Sequence, residues 1–151
     1  MIELDHRVNG IRDGVDSPEL RRRLAVADLY ELTCEMFWGD LTFRAEGADF
    51  SGPGPVFDAA YCLYRIGEDL KAQPKRTYSA AGGAGEYFFT RKGESVRIRE
   101  EHGPSGSVSY EEFRTATKAF LRSVIADLCA CYPELGKNQE ILSLKSRLKT
   151  A

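Results

Sequence analysis

The chain has 151 residues, of which 42% are hydrophobic and 29% are charged, with a net charge of −2. This composition is typical of globular domains and argues against a disordered, collagen-like or disulfide-dominated protein, while the length predicts one domain over residues 1–151. The sequence lacks an apolar run of the roughly 20 residues that span a bilayer and begins without a signal-peptide pattern, so we expect a cytoplasmic protein with no membrane association.

The charges are unevenly distributed along the chain. Residues 1–70 contain 7 Lys and Arg against 14 Asp and Glu, a balance of −7, whereas residues 71–151 contain 14 against 9, a balance of +5. Either the two halves neutralise each other in the fold, or an acidic surface from the first half attracts a basic partner. Because the whole domain is not basic, we do not expect a nucleic-acid partner.

The first predicted elements are a strand and a short helix. Apolar and polar residues alternate over residues 2–8, which is the pattern of a half-buried strand ending at Asn9-Gly10. Ser17 followed by Pro18 predicts a helix N-terminus, with the helix continuing through Arg23.

Residues 30–46 predict an antiparallel hairpin. Two alternating runs flank Gly39-Asp40, and a two-residue turn there would place Met36 opposite Phe43 and Glu35 opposite Arg44. The first pair is apolar and the second is oppositely charged, so the two faces agree with one register.

The second half predicts two long helices and a second hairpin. Helical spacing runs from Val56 to before Pro74, a strand follows over residues 75–80, and a hairpin turning at Lys92-Gly93 places Phe89 opposite Val96. Residues 102–107 are a predicted loop. Ser109 and Glu112 have capping-box spacing at the start of the longest helix, whose apolar face includes Phe113, Ala116, Phe120, Val124, Leu128 and Cys131.

These elements predict an α+β domain. We expect an antiparallel sheet of about five to seven strands with two main helices packed on one face. A short helix over residues 139–149 ends the chain, and residues 137–151 are expected to be peripheral.

The sequence contains few groups suited to metal or covalent chemistry. The cysteines are Cys34, Cys62, Cys129 and Cys131, none in a C-x-x-C pair, and the two histidines are far apart in sequence. The glycines of residues 82–85 precede an aromatic-rich strand and not a helix, so they predict a flexible connection instead of a phosphate loop. We therefore expect no metal, no cofactor and no catalytic residue that the sequence alone identifies.

The predicted first hairpin supplies the candidate partner-binding residues, which are Glu31, Glu35, Trp38, Asp40 and Asp49. One interpretation is an ordinary solvated sheet face with Trp38 capping the end of the core. The other is an acidic surface that meets a basic protein, with Trp38 as its anchor.

Three segments carry a resemblance to known proteins. Phe37-Trp38-Gly39-Asp40, residues 50–59 and Tyr132-Pro133-Glu134-Leu135 resemble small bacterial single-domain proteins, namely uncharacterised families and immunity proteins of polymorphic toxin systems. The resemblance implies a cofactor-free cytosolic protein that neutralises a toxin by binding it. The alternative is a small-molecule-binding protein or cofactor-free enzyme with a pocket between sheet and helices, using tyrosines such as Tyr61, Tyr64 and Tyr78.

Overall fold

A computed structural model describes residues 1–10 and 17–150 and shows an α+β fold with antiparallel strands, which confirms the predicted fold class. The strands are β1 (Ile2–Gly10), β2 (Trp38–Ala45), β3 (Ala48–Asp49), β4 (Gly52–Pro55), β5 (Lys75–Ser79), β6 (Glu86–Lys92), β7 (Ser95–Glu100) and β8 (Ser105–Ser109). The helices are α1 (Pro18–Val26), α2 (Val56–Asp69), α3 (Tyr110–Cys131) and α4 (Gln139–Thr150). The strands form two four-stranded sheets and not one continuous sheet.

The first sheet is built around β2. One edge of β2 pairs with β1, and its other edge pairs with β3 near residues 44–45 and with β4 near residues 38–41. The β1 register places Leu4 opposite Phe43 on the inner face and Glu3 opposite Arg44 on the exposed face. The alternation predicted for residues 2–8 is therefore confirmed.

The predicted hairpin over residues 30–46 is wrong. Glu31–Glu35 is a helical turn with π geometry, and β2 passes straight through Gly39-Asp40 without turning. Met36 does not face Phe43, which pairs with Leu4, and Arg44 pairs with Glu3 and Asp49 instead of Glu35.

Two local features explain why this segment is helical before Trp38. The carboxylate of Asp28 accepts a hydrogen bond from the amide of Glu31 (2.9 Å), which caps the turn, and the Thr33 hydroxyl donates to the Leu29 carbonyl (2.9 Å). Phe37 then adopts φ +61° and redirects the chain into β2. Gly39 allows β1 and β2 to approach closely, because a Cβ at this position would lie 1.9 Å from the Arg7 carbonyl oxygen.

The second sheet has the order β5-β6-β7-β8, and its central hairpin turns one residue later than predicted, which shifts the strand pairing by two residues. Phe89 pairs with Ile98 and not with Val96, since the two turn residues are Gly93 and Glu94. Gly93 has φ +60°, the conformation that favours glycine at the first position of such a turn. Residues 105–107, predicted as loop, belong to β8.

The two sheets meet at one β-bridge. Glu46 and Ser107 exchange backbone hydrogen bonds of 3.2 and 2.9 Å, which joins the connection after β2 to β8. Gly106 lies against Ala45 and Ala48, whose Cβ atoms would be 3.2 and 3.1 Å from a Cβ on residue 106. The sheets therefore close together at this end.

The helix α3 packs against α2 and against strands β1, β7 and β8. Its N-terminus is capped as predicted, because the Ser109 hydroxyl accepts from the Glu112 amide (3.1 Å). The Glu112 side chain accepts from the Ile2 amide (3.0 Å), which attaches α3 to β1. The predicted apolar face is buried except at two positions, where Ala116 is half-buried and Cys131 is exposed.

The terminal helix α4 and the first helix α1 share one buried side chain. Asn138 donates to the carbonyls of Leu24 (2.7 Å) and Ala27 (2.8 Å), and its own carbonyl accepts from the amides of Glu140 and Ile141 (2.9 and 3.3 Å). Residues Ile141, Leu144 and Leu148 of α4 are buried in the core. In residues 1–10 and 17–150, no helix combines the length and the apolar character needed to cross a bilayer.

Candidate functional site

The predicted partner-binding residues do not form one surface. Glu31 lies on the helical turn, where its carboxylate pairs with Arg23 (3.0 Å). Glu35 ends the same turn. Trp38 begins β2, half-buried between Gly10 and Pro55, so it is part of the sheet and not the end of a hairpin.

Asp40 and Asp49 do lie on the same exposed side of the first sheet. Asp40 is opposite Arg7, and Asp49 pairs with Arg44 (3.2 Å) beside Glu3 (3.1 Å from Arg44). Hydrogen bonds from Ser51, followed by the Arg44 guanidinium, lower the pKa of Asp49 to about 2. The acidic face, as we name this surface, consists of Glu3, Asp5, Asp40 and Asp49 together with Arg7 and Arg44.

The exposed side of the second sheet has the opposite charge. The basic face, as we name it, carries Lys75, Lys92, Arg97 and Arg99 against Glu86. Arg99 stacks over the Phe88 ring (4.6 Å), and Arg97 donates to the Ser105 hydroxyl (2.9 Å). The acidic first half of the sequence therefore supplies the acidic face, and the basic second half supplies the basic face.

A cavity of about 250 Å³ opens between the two sheets on the side of β4. Its mouth lies among the exposed residues Ser51, Pro53 and Ala84, and its inner end reaches the core at Leu63 and Phe120. Such a recess into the core, lined by apolar groups and a few polar ones, is the usual form of a small-molecule site.

Four aromatic rings form the walls of the cavity. Phe43 lies 4.9 Å from Phe50 and 6.0 Å from Tyr87, and Phe50 meets Tyr87 edge-on at 6.0 Å. Tyr78 stacks on Tyr87 at 5.8 Å. Phe43 comes from β2, Phe50 from the segment before β4, and the tyrosines from β5 and β6, so the walls require both sheets.

A buried carboxylate fixes the position of Tyr78. Asp58, in the first turn of α2, accepts from the Tyr78 hydroxyl (2.7 Å) and the Ala81 amide (3.0 Å), and the Cys62 thiol lies 3.6 Å away. Burial, followed by the negative charge of Asp58, raises the pKa of the Tyr78 phenol and raises the pKa of Cys62 to about 12. Both groups are therefore neutral at pH 7, and neither provides an anionic nucleophile.

Two carboxylates supply the charge around the cavity. Glu100 lies at the end of β7 opposite Tyr87, and burial followed by the charge of Glu100 raises the pKa of the Tyr87 phenol. Asp49 lies at the rim and is partly neutralised by Arg44. The lining contributed by the described residues contains no lysine, arginine or histidine.

Sequence reasoning found only part of this site. It named Tyr78 as a pocket residue and Asp49 as a surface carboxylate, whereas Tyr61 and Tyr64 do not line the cavity. It missed Glu100, although the alternation of β7 places this residue in phase with the buried Val96 and Ile98. The signal that could have identified it is a carboxylate at a position where the alternation of the strand predicts a side chain facing the core.

Comparisons with known proteins give no match: no family model, no curated protein and no solved structure is similar to the chain. Over residues 1–10 and 17–150, histidine, cysteine, aspartate and glutamate side chains form no group of three placed to hold a metal ion. Function is therefore inferred from the surfaces and the cavity described above.

Proposed function

We propose that this chain binds a small organic molecule in the cavity between its two sheets. The observation that carries the proposal is an aromatic-walled recess that extends from the exposed residue Ala84 to the core residue Phe120. Phe43, Phe50 and Tyr78 are buried and Tyr87 is half-buried, and a ligand that covers the apolar surface remaining in the recess would bind favourably.

The fixed geometry of the walls supports the same proposal. Tyr78 is anchored to Asp58, and the Phe50 amide donates to the Phe43 carbonyl (2.7 Å), which holds these two rings on neighbouring segments. A preformed site loses little conformational entropy when a ligand binds. The neutral Tyr78 and Cys62 favour binding over covalent catalysis by these groups.

The test is a fragment screen followed by two-dimensional amide NMR of the labelled protein. We expect bound fragments to shift the amide signals of Phe43, Gly54 and Tyr87, which line the cavity. Ala84→Leu adds bulk at the mouth and should weaken these shifts, whereas Ala130→Leu makes the same change on the exposed side of α3 and should leave them unaltered.

Both substitutions are at exposed positions, so the fold should be retained and can be checked by the amide spectrum itself. The proposal fails if no fragment shifts the cavity signals, or if Ala84→Leu and Ala130→Leu behave alike. It is supported if only the substitution at the mouth weakens binding.

A second candidate function is binding of a basic protein, favoured by the four carboxylates of the acidic face. This keeps the protein-binding hypothesis of the sequence but moves the surface from the predicted hairpin to β1, β2 and β3. The resemblance to immunity proteins suggests a toxin as the partner. A purified basic candidate should bind the wild type in a salt-sensitive way and bind Asp5→Lys/Asp40→Lys more slowly, since these exposed carboxylates would steer association.

A further inference from the structure

Resting on the proposed binding function, we infer that the ligand of the cavity is a small organic cation, an amine or a quaternary ammonium. The two charged side chains in the described lining are both carboxylates, Asp49 and Glu100. The walls are aromatic, and the π system of an aromatic ring carries the negative part of the ring quadrupole and attracts cations.

Glu100 distinguishes a cation site from a merely apolar one. This residue is half-buried, and no lysine, arginine or histidine nitrogen of residues 1–10 and 17–150 forms an ion pair with its carboxylate. Asp49, in contrast, already pairs with Arg44 at 3.2 Å. Glu100 therefore has no cationic partner among the described residues, and an entering cation would supply one.

An anionic ligand would meet unfavourable contacts at the same positions. A phosphate or carboxylate beside Glu100 would add like charge in a partly desolvated site, and the rings of Phe43, Phe50 and Tyr87 would supply no positive charge to offset it. The cationic side chains of the basic face lie on the outside of the second sheet and do not line the cavity. The carboxylates of the lining therefore favour a positively charged ligand over a negatively charged one.

The test uses three probes of nearly the same shape but different charge. Choline is positive, 3,3-dimethylbutan-1-ol is its neutral carbon analogue, and 3,3-dimethylbutanoate is negative. Amide NMR titrations should give a choline affinity about tenfold above that of the alcohol, with no binding of the acid, because the ring faces and Glu100 favour the cation. The N-methyl signals of bound choline should shift upfield, since they lie over ring faces.

Glu100→Gln removes the charge of this carboxylate without changing the shape of the side chain. We expect it to reduce choline affinity about tenfold and to leave the affinity for the alcohol unchanged. Glu101→Gln is the matched control, because it makes the same change of net charge one residue away at an exposed side chain outside the cavity. It should leave both affinities unchanged.

The outcomes separate this inference from the proposed function. If the alcohol binds as tightly as choline, or if Glu100→Gln and Glu101→Gln weaken choline equally, the cation inference is overturned while small-molecule binding stands. If no probe binds, the inference is likewise overturned, and the fragment screen alone then decides whether the cavity is a binding site.

Discussion

Gly39 is the residue whose role differs most from its sequence pattern. Beside an aspartate and between two alternating runs it predicts a turn, yet its backbone lies near the start of β2, against the Arg7 carbonyl of β1. The absence of a side chain there is required by a partner strand about 30 residues earlier in the chain. A local pattern cannot reveal a requirement that comes from such a distant segment.

Gly39→Ala should therefore destabilise the protein strongly. The added Cβ would lie 1.9 Å from a backbone oxygen, so β1 and β2 must separate, and we expect a loss of about 3 kcal/mol or more in the free energy of unfolding. Urea denaturation measures this loss. Gly52→Ala is the control, because a Cβ there would contact nothing within 4 Å; equal stability of the two variants would contradict the close approach.

Asp49 gives a prediction about acid stability. Its pKa is about 2 in the folded protein, below the value of about 3.9 for an unfolded chain, so the ionised carboxylate stabilises the fold above pH 4. This contribution is lost as the pH falls from about 4 through 2. Asp49→Asn should lower Tm at pH 7. As the pH then falls over that range, the Tm of the variant should decrease less than the Tm of the wild type does. Thermal melts across the range test this, with Asp5→Asn as the comparison.

At the scale of elements, Asn138 connects two helix ends at once. Asn138→Ala should lower the free energy of unfolding by about 3 kcal/mol, since it removes the cap of α4 and leaves two buried carbonyls of α1 without their donor. Chemical denaturation gives the magnitude.

Asn138→Asp separates the two roles of this side chain. An aspartate can still cap α4, but it cannot donate to the carbonyls of Leu24 and Ala27. We expect it to be at least as destabilising as alanine at pH 7. Wild-type stability of the aspartate variant would show that the connection to α1 contributes little.

The elements that the sequence predicted best are those with local signals. Ser17, Ser109 and the alternation of residues 2–8 define their elements through neighbouring residues, and the structure confirms each of them. The hairpin over residues 30–46 failed because the first alternating run is a helical turn, while the second run is a strand that pairs with β1, β3 and β4. The spacing of Asp28 and Glu31 is a local signal that a helical turn precedes β2.

The candidate site was less predictable than the fold because it is assembled from distant segments. The cavity joins Phe43, Phe50 and Tyr87, which come from both sheets, and the division into two sheets is not visible in the strand patterns. Tyr78 could be suspected as a polar aromatic residue, but its bond to Asp58 depends on how α2 packs on β5. Tertiary packing therefore decides which tyrosines line the site.

At the scale of the molecule, Phe120 connects the core to the cavity. It is buried on α3, lies 5.8 Å from the His6 ring and forms part of the inner end of the cavity. Phe120→Ala should enlarge the existing space and destabilise the protein by about 3–5 kcal/mol. A calorimetric Tm equal to that of the wild type would contradict the central position of this ring.

The opposite charges of the two exposed sheet faces have a consequence for ion-exchange chromatography. A net charge of −2 predicts retention on an anion exchanger alone. The basic face, however, presents four cations against one carboxylate, so a cation exchanger at pH 7 and low salt should also retain the chain, in the reverse orientation. Arg97→Ser/Arg99→Ser should elute from the cation exchanger at lower salt. Its retention on the anion exchanger should still depend on the acidic face.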